Sequence, residues 1–315
     1  MFFMRYKSLI AAVLIFAATL TSTVRAAEFE MISYSAQVKL QWLAAAGIPD
    51  AQLYLKFLEK PNFFNKDNLP DFERIEKVNA VYNEFCYASF IDFVKNNGYK
   101  NVMEIGCSYS PRVVELVNSG CNYVGAELAA VAYVANELGQ RVINKKYHRN
   151  FFYCNAPVAD RDAMLYAGSF LGDNVCIIEQ GLMIYFDRPH IQQMLENIKP
   201  VLQKHGGCYV TSNFCRKPYF NAIATTLYGA EAADTLYKET YDIYETVLGD
   251  PMYDDTFQSD EDAIKFLDKL GFNVKQVPLF SGDFNLYSFN GLRADQINSL
   301  KSLGKQPYIR ILTLK

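Results

Sequence analysis

The sequence predicts an α/β protein: a doubly wound, mostly parallel seven-stranded sheet with an N-terminal helical cap and an aromatic-rich insertion after the fifth strand. Three observations predict it. From about residue 99 onward, short apolar runs of strand length alternate with amphipathic helical runs, the signature of a parallel sheet covered on both faces. The run Val175 to Ile178 reads as a buried strand that breaks at Glu179, Gln180 and Gly181, placing polar groups at a strand's carboxyl end, where open α/β sheets bind ligands. About 70 residues upstream, Glu104-Ile105-Gly106 makes a similar break between a strand and a helix.

The elements follow in order. Residues 28 to about 98 are helical in pattern and rich in aromatics, with interruptions at Gly47-Ile48-Pro49 and Pro61-Asn62-Phe63. Ile75, Val78, Val81, Phe85, Phe90 and Phe93 recur near helical spacing over Phe72 to Asn96, and Asn97-Gly98 supplies the positive-φ stop. Asn101 to Ile105 is a first strand, with a helix over Arg112 to Asn118 that ends at Gly120. Asn122 to Ala126 is a second strand, with a helix over Ala129 to Leu138 expected to end at Gly139. Phe151 to Cys154 is a third strand and Val175 to Ile178 a fourth.

Asp187 is placed to cap the next helix, with Pro189 in its first turn. Ile191, Met194, Leu195, Ile198, Val201 and Leu202 form its apolar stripe before Gly206-Gly207 closes it. Cys208 to Ser212 is a fifth strand, Asp260 to Leu270 a helix, Phe272 to Val277 a sixth strand and Tyr308 to Leu314 a last one. The insertion runs from about 213 to 258 and carries Phe214, Tyr219, Phe220, Tyr228, Tyr237, Tyr241, Tyr244 and Tyr253, a candidate lid over the ligand end of the sheet.

Composition bounds the function. The 315 residues are 50% hydrophobic and 15% aromatic, enough for one large core. A net charge of -3 with no long basic run leaves no footprint for nucleic acid. Lys145, Lys146, His148 and Arg149 form one short basic cluster, read as a solvated loop.

At the amino terminus, Arg5 and Lys7 precede an apolar run from Leu9 to Leu20, with small residues at Val24 and Ala26. That pattern predicts a signal peptide over residues 1–27 and an exported chain. The run falls short of the ~20 residues of a bilayer span, so no stable membrane span is expected once it is cut; an uncleaved anchor is the alternative. The seven cysteines point the other way: they are odd in number, most sit in strand runs, and none has C-x-x-C spacing. They read as reduced core residues suited to a reducing final environment, and no metal site is indicated.

Gly106, between a strand and a helix, allows a tight turn and a close ligand approach to the backbone. Glu127 ends the second strand 21 residues later, where a carboxylate can accept hydrogen bonds from both hydroxyls of a ribose; the competing role is a carboxylate complementing a helix N-terminus. Asn155, ending the third strand, is in line for an adenine edge.

On these residues the chain resembles a known family. Gly106-Cys107-Ser108-Tyr109-Ser110-Pro111-Arg112 looks like the G-x-G-x-D-x-R turn of leucine carboxyl methyltransferase-like enzymes, a branch of the class I S-adenosylmethionine-dependent methyltransferases. Glu179-Gln180-Gly181-Leu182-Met183-Ile184-Tyr185-Phe186 is similar to that family's E-G-L-L-M-Y-L segment, with one residue inserted before the glycine. The likeness covers roughly residues 75 to 213. Ser108 replaces the family's second glycine, Ser110 its aspartate, and Asn155 the usual third-strand aspartate.

The resemblance implies a Rossmann-like methyltransferase fold with S-adenosyl-L-methionine as cofactor. Glu104, Gly106, Cys107 and Ser108 would line its methionine part, Glu127 and Leu128 the ribose, and Asn155 and Ala156 the adenine. Glu179 and Gln180 would flank cofactor and substrate, and Arg112 would steady the loop or pair with a carboxylate. The expected reaction is direct displacement of a methyl group onto oxygen, most simply a carboxylate of a small molecule or protein. Such a group, with an ordinary pKa of about 4, needs no general base. For a hydroxyl acceptor, Glu179 or Tyr185 is the candidate base. Two alternatives stand beside this reading: a dehydrogenase on the same sheet, disfavoured by the missing third glycine, and an exported non-enzymatic binding protein on a degenerate methyltransferase fold.

Overall fold

The computed structural model describes residues 36–58, 71–212, 214, 216–248 and 256–315. The expected signal peptide over 1–27 and Tyr253 lie outside the described residues. Helix α1 covers 36–46, and α2 (Pro49–Phe57) starts after the expected interruption, with Pro49 as its first residue. Helix α3 (Phe72–Asn96) is followed by β1 (Asn101–Ile105), α4 (Arg112–Asn118), β2 (Asn122–Glu127), α5 (Ala129–Val142) and β3 (Phe151–Asn155). The chain continues through α6 (Arg161–Gly168), β4 (Val175–Glu179), α7 (Arg188–His205) and β5 (Gly207–Thr211). It ends with α8 (Arg216–Tyr228), α9 (Ala230–Leu248), α10 (Asp260–Lys269), β6 (Phe272–Pro278), α11 (Ala294–Gly304) and β7 (Pro307–Leu314).

The sheet has seven strands in the order β3-β2-β1-β4-β5-β7-β6. Its first five strands pair in parallel, and β7 runs antiparallel between β5 and β6. The direction of winding reverses between β1 and β4, so a crevice opens beyond their carboxyl ends.

Alternation along the strands sorts two cores. Val102, Tyr123, Tyr153, Cys176, Ile178 and Val210 face one layer, with residues of α1, α3, α4, α5, α8 and α9. Met103, Ile105, Val124, Ile177, Tyr209 and Leu312 face the other, against α6, α7 and α10. Each buried aliphatic or Phe side chain there contributes roughly 1.5–3 kcal/mol relative to exposure. Helix α3 belongs to the first core, where Phe85, Phe90 and Val94 share a cluster with Val102, Cys176 and Ile178, and it packs against α4, α8 and α9.

Most expected elements appear within a residue or two. One stop does not: α5 runs on to Val142, with Gly139 inside it. A Cβ at Gly139 would stand 2.9 Å from the Phe151 ring, so this glycine serves the close packing of α5 on β3 and ends nothing. The patterns also passed over α6 and α11. Helix α6 is short and capped by Asp160, whose carboxylate accepts from Asp162 N and Ala163 N at 3.0 Å. Helix α7 begins as expected, with Asp187 accepting from His190 N at 3.0 Å, and Gly206 at φ 67 ends it.

The insertion forms α8 and α9, which pack on each other and on α3. The described cysteines are free and buried. Among the described residues, no helix is long and apolar enough to cross a membrane.

Candidate active site

The turn after β1 brings chain close to chain. Gly106 and Ser108 both take the left-handed conformation, at φ 56 and 54, and the Leu182 side chain lies 3.0 Å from where a Gly106 Cβ would stand. Serine pays for that conformation where glycine does not, roughly 1–2 kcal/mol. In return the turn aims its backbone at β2: Ser108 N donates to Glu127 Oε2 at 2.8 Å, while Leu128 N donates to Oε1 at 2.9 Å.

Beyond the ends of β1, β2 and β4 lies a cavity of about 290 Å³, at the low end of the range for small-molecule sites. Gly106, Ser108, Glu127, Leu128, Gln180 and Tyr185 line it. Burial pushes the Glu127 carboxyl above its ordinary range, against the pull of the two backbone N–H groups and of Lys39. Burial likewise pushes the Tyr185 phenol well up.

Several lining residues escaped sequence reading. Lys39 of α1 donates from Nζ to the Gln180 carbonyl at 2.9 Å, and burial pulls its pKa down despite the opposing pull of Glu104 and Glu179. Tyr82 and Asn83 come from α3 and Arg216 from α8, beside Tyr244 of the expected aromatic insertion on α9. The Tyr244 hydroxyl accepts from Trp42 Nε1 at 3.0 Å. These groups sit on helices whose periodicity reads as core, and no local motif marks them.

Gln180, the residue inserted in the family-like segment, ties the floor together. Its side-chain Oε1 accepts from Arg112, its Nε2 reaches the Asn83 carbonyl at 3.5 Å, and its own carbonyl holds Lys39. Arg112 also pairs with Glu104, which accepts from the Tyr123 hydroxyl at 2.9 Å. Glu104 and Arg112 are fully buried beneath the turn, and neither is among the residues lining the cavity.

The remaining expected site residues stand apart from that lining. Cys107 is buried, its sulfur 3.1 Å from the position of a Gly125 Cβ. Asn155 lies exposed at the end of β3, in register with Glu127, and Ala156 is buried in the second core. The Glu179 carboxylate is buried among donors: Leu182 N at 2.5 Å, Met183 N at 3.3 Å, Thr211 Oγ1 at 2.6 Å and Tyr209 Oη at 3.4 Å. It holds the turn after β4 against β5 and does not line the cavity. Of the insertion's aromatic residues, Tyr244 alone among those described lines this cavity, while Tyr237 meets Phe220 edge-on and Tyr241 at a tilt, with centroids 5.3 and 4.7 Å apart.

No protein-family model matches the sequence. No curated protein matches it significantly. Solved structures are similar in fold. A DUF574 family protein from Streptomyces avermitilis MA-4680 matches with a TM-score of 0.52 at 12% identity, over 88% of this chain and 97% of its own. Magnesium protoporphyrin IX methyltransferase (ChlM) from Synechocystis PCC 6803, with bound SAH, matches at 0.46 and 14% identity, over 80% of this chain and 97% of that one. An O-methyltransferase family protein from Burkholderia thailandensis matches at 0.44 and 10% identity, over 90% of this chain and 72% of that one. At such identities the likeness is one of fold: the chain has a Rossmann-like α/β architecture with a seven-stranded, mostly parallel sheet.

Proposed function

We propose that the chain is an S-adenosylmethionine-dependent O-methyltransferase of the leucine carboxyl methyltransferase-like kind, acting on a carboxylate. One observation carries this reading: the Glu127 carboxylate is held by two backbone N–H groups at the wall of a cavity set at the switch point of the sheet. A carboxylate so presented suits a ribose diol. The donor set fits the rest of the cofactor: the glycine turn admits a close ligand, and the Lys39 ammonium offers the methionine carboxylate a partner.

When bound, S-adenosylmethionine would supply an electrophilic methyl group on its sulfonium, with the neutral thioether S-adenosylhomocysteine as the leaving group. The protein's part is alignment and exclusion of water, for which effective molarities of roughly 10⁵ M or more are available. A carboxylate acceptor is ionised already and needs no base. Tyr185, its phenol kept protonated by burial, acts as a hydrogen-bond donor toward the acceptor oxygen. Glu179 acts through the turn it holds, and Arg112 with Glu104 through Gln180.

Isothermal titration of S-adenosylmethionine and S-adenosylhomocysteine into the full chain, beside Glu127→Ala, tests the reading. Micromolar binding that the variant loses supports it. No heat from folded, reduced protein would leave a non-enzymatic binding protein as the better reading. Export by residues 1–27 belongs to the proposal, and the amino-terminal sequence of protein recovered outside the producing cell checks it.

A further inference from the structure

The sheet ends in two edge strands, β3 and β6, and they are finished differently. Strand β6 carries Lys275, loses its register between Val277 and Pro278, and closes on that proline. A charge, an irregularity and a proline are devices that keep an edge from pairing with another chain. Strand β3 has none of them: Phe151-Phe152-Tyr153-Cys154-Asn155 is uncharged, regular and rich in strand-favouring residues. Asn150 O accepts from Tyr123 N at 2.7 Å and Ala156 N donates to Glu127 O at 2.9 Å, so alternation turns the peptide groups of Phe152 and Cys154 toward β2. Those of Phe151, Tyr153 and Asn155 face the open edge, and no other described strand pairs with them.

Two further features surround this edge. Phe152, Phe170 and Tyr166 are 37%, 47% and 56% exposed, yet they touch: the Phe152 and Phe170 centroids lie 4.5 Å apart, and Tyr166 meets Phe170 at 5.0 Å. Three exposed aromatics in one cluster make a patch, unlike the single apolar residues scattered over an ordinary surface. The charges around it are sorted by end. Lys145, Lys146 and Arg149 are exposed at the amino end of β3, and Asp160 and Asp162, with Arg161 between them, at its carboxyl end where α6 begins. Among the described residues, none of Lys145, Lys146, Arg149 and Asp162 has an ion-pair partner within the chain.

We propose that the edge of β3 is a dimer interface, occupied by β3 of a second copy paired antiparallel about a two-fold axis near Tyr153. A two-fold axis brings unlike ends together, so the basic loop of each copy meets the acidic start of α6 in the other. Phe152 keeps to one face of the joined sheet, so the two aromatic patches meet beside the axis. A foreign strand would use the same N–H and C=O groups, but the order of the charges along the edge is complementary to itself. The dimer stands apart from the methyl-transfer reading and does not depend on it.

The test is sedimentation velocity of the full chain, with hydrogen exchange read over residues 150–156. At roughly 50 µM and low salt a species of twice the 35.9 kDa chain mass is expected, weakening as salt screens the paired ends. Exchange at Phe151, Tyr153 and Asn155 should slow as concentration drives the pairing. Phe152→Lys and Phe170→Lys should each raise the dimer dissociation constant at least about tenfold while circular dichroism shows a folded monomer. Lys145→Glu with Lys146→Glu should weaken the dimer too, and adding Asp162→Lys should restore it in part. These charge changes lie on exposed residues, so they decide the matter even if an aromatic variant unfolds. A chain that stays monomeric at roughly 50 µM in low salt overturns the proposal and leaves the edge to a different partner. A dimer whose exchange over 150–156 ignores concentration, or that survives both the aromatic and the charge variants, forms through another face and equally overturns it.

Discussion

Arg112, the first residue of α4, pairs with Glu104 of β1 beneath the turn that joins them, and both side chains are fully buried. The same guanidinium reaches Gln180 at the end of β4 and lies 5.3 Å from the Tyr87 ring and 5.4 Å from that of Phe90. One cation therefore joins the ends of β1 and β4 to α3, across the switch point where the cavity opens.

Removing one member of this pair strands a buried charge. Arg112→Met is expected to cost about 3–5 kcal/mol, and Glu104→Gln in the same background to restore part of it. Urea unfolding of the two single variants and the double measures the coupling. Strictly additive losses would show that the pair is not a unit.

Affinity for S-adenosylhomocysteine is expected to fall on the acid side. Burial raises the Glu127 pKa above the ordinary carboxyl range, so protonation begins at a higher pH than for a free glutamate. The ionised form is the one that accepts from two hydroxyls, so binding is full above the raised pKa and is lost as pH falls through it. Glu127→Gln should weaken binding about 10- to 100-fold and abolish this acid limb in a titration series. A limb that persists in the variant would assign it to another group.

An alkaline limb should accompany it. Burial depresses the Lys39 pKa below that of a free lysine. Its positive charge is present below the depressed pKa and is lost as pH rises through it, so a ligand carboxylate loses its partner earlier than at an exposed lysine. Lys39→Met is expected to lower affinity at neutral pH and flatten the alkaline side. The decarboxylated analogue of S-adenosylhomocysteine should bind wild type and variant alike.

Glu179 and Tyr185 are expected to separate in a stability and rate comparison. Glu179→Gln turns one acceptor of a four-donor cluster into a donor, at about 1.5–3 kcal/mol for each charged hydrogen bond weakened, so its Tm falls. Tyr185→Phe should leave the Tm nearly unchanged and lower the rate of methyl transfer. The reverse pattern would make Glu179 the group at the chemistry.

The Ser108 turn supplies its backbone N–H, which a glycine retains. Ser108→Gly relieves about 1 kcal/mol of left-handed strain against a similar entropic cost, so stability and cofactor affinity should both hold. Ser108→Val places a β-branched side chain at φ 54 and should be clearly destabilised in thermal unfolding.

The local pattern along the chain determined the sheet, its approximate strand bounds and the breaks at which it offers polar groups. That follows because burial phase and turn chemistry are written within a few residues: Val175 to Ile178 is apolar on both faces, and Gly106 and Gly181 both take positive φ after strands. Gly139 misled because a glycine that ends a helix and one that lets a helix touch a ring look alike in one dimension. What the tertiary structure decided is which distant groups meet. Lys39 finds Gln180 across 141 positions, and Arg216 reaches Asn79, 3.4 Å away, across 137. Periodicity says that a helix face is buried, and only packing says against what. For that reason Glu104, Glu179 and Arg112, conspicuous in sequence, became the frame of the site, and helical residues that read as core became its walls.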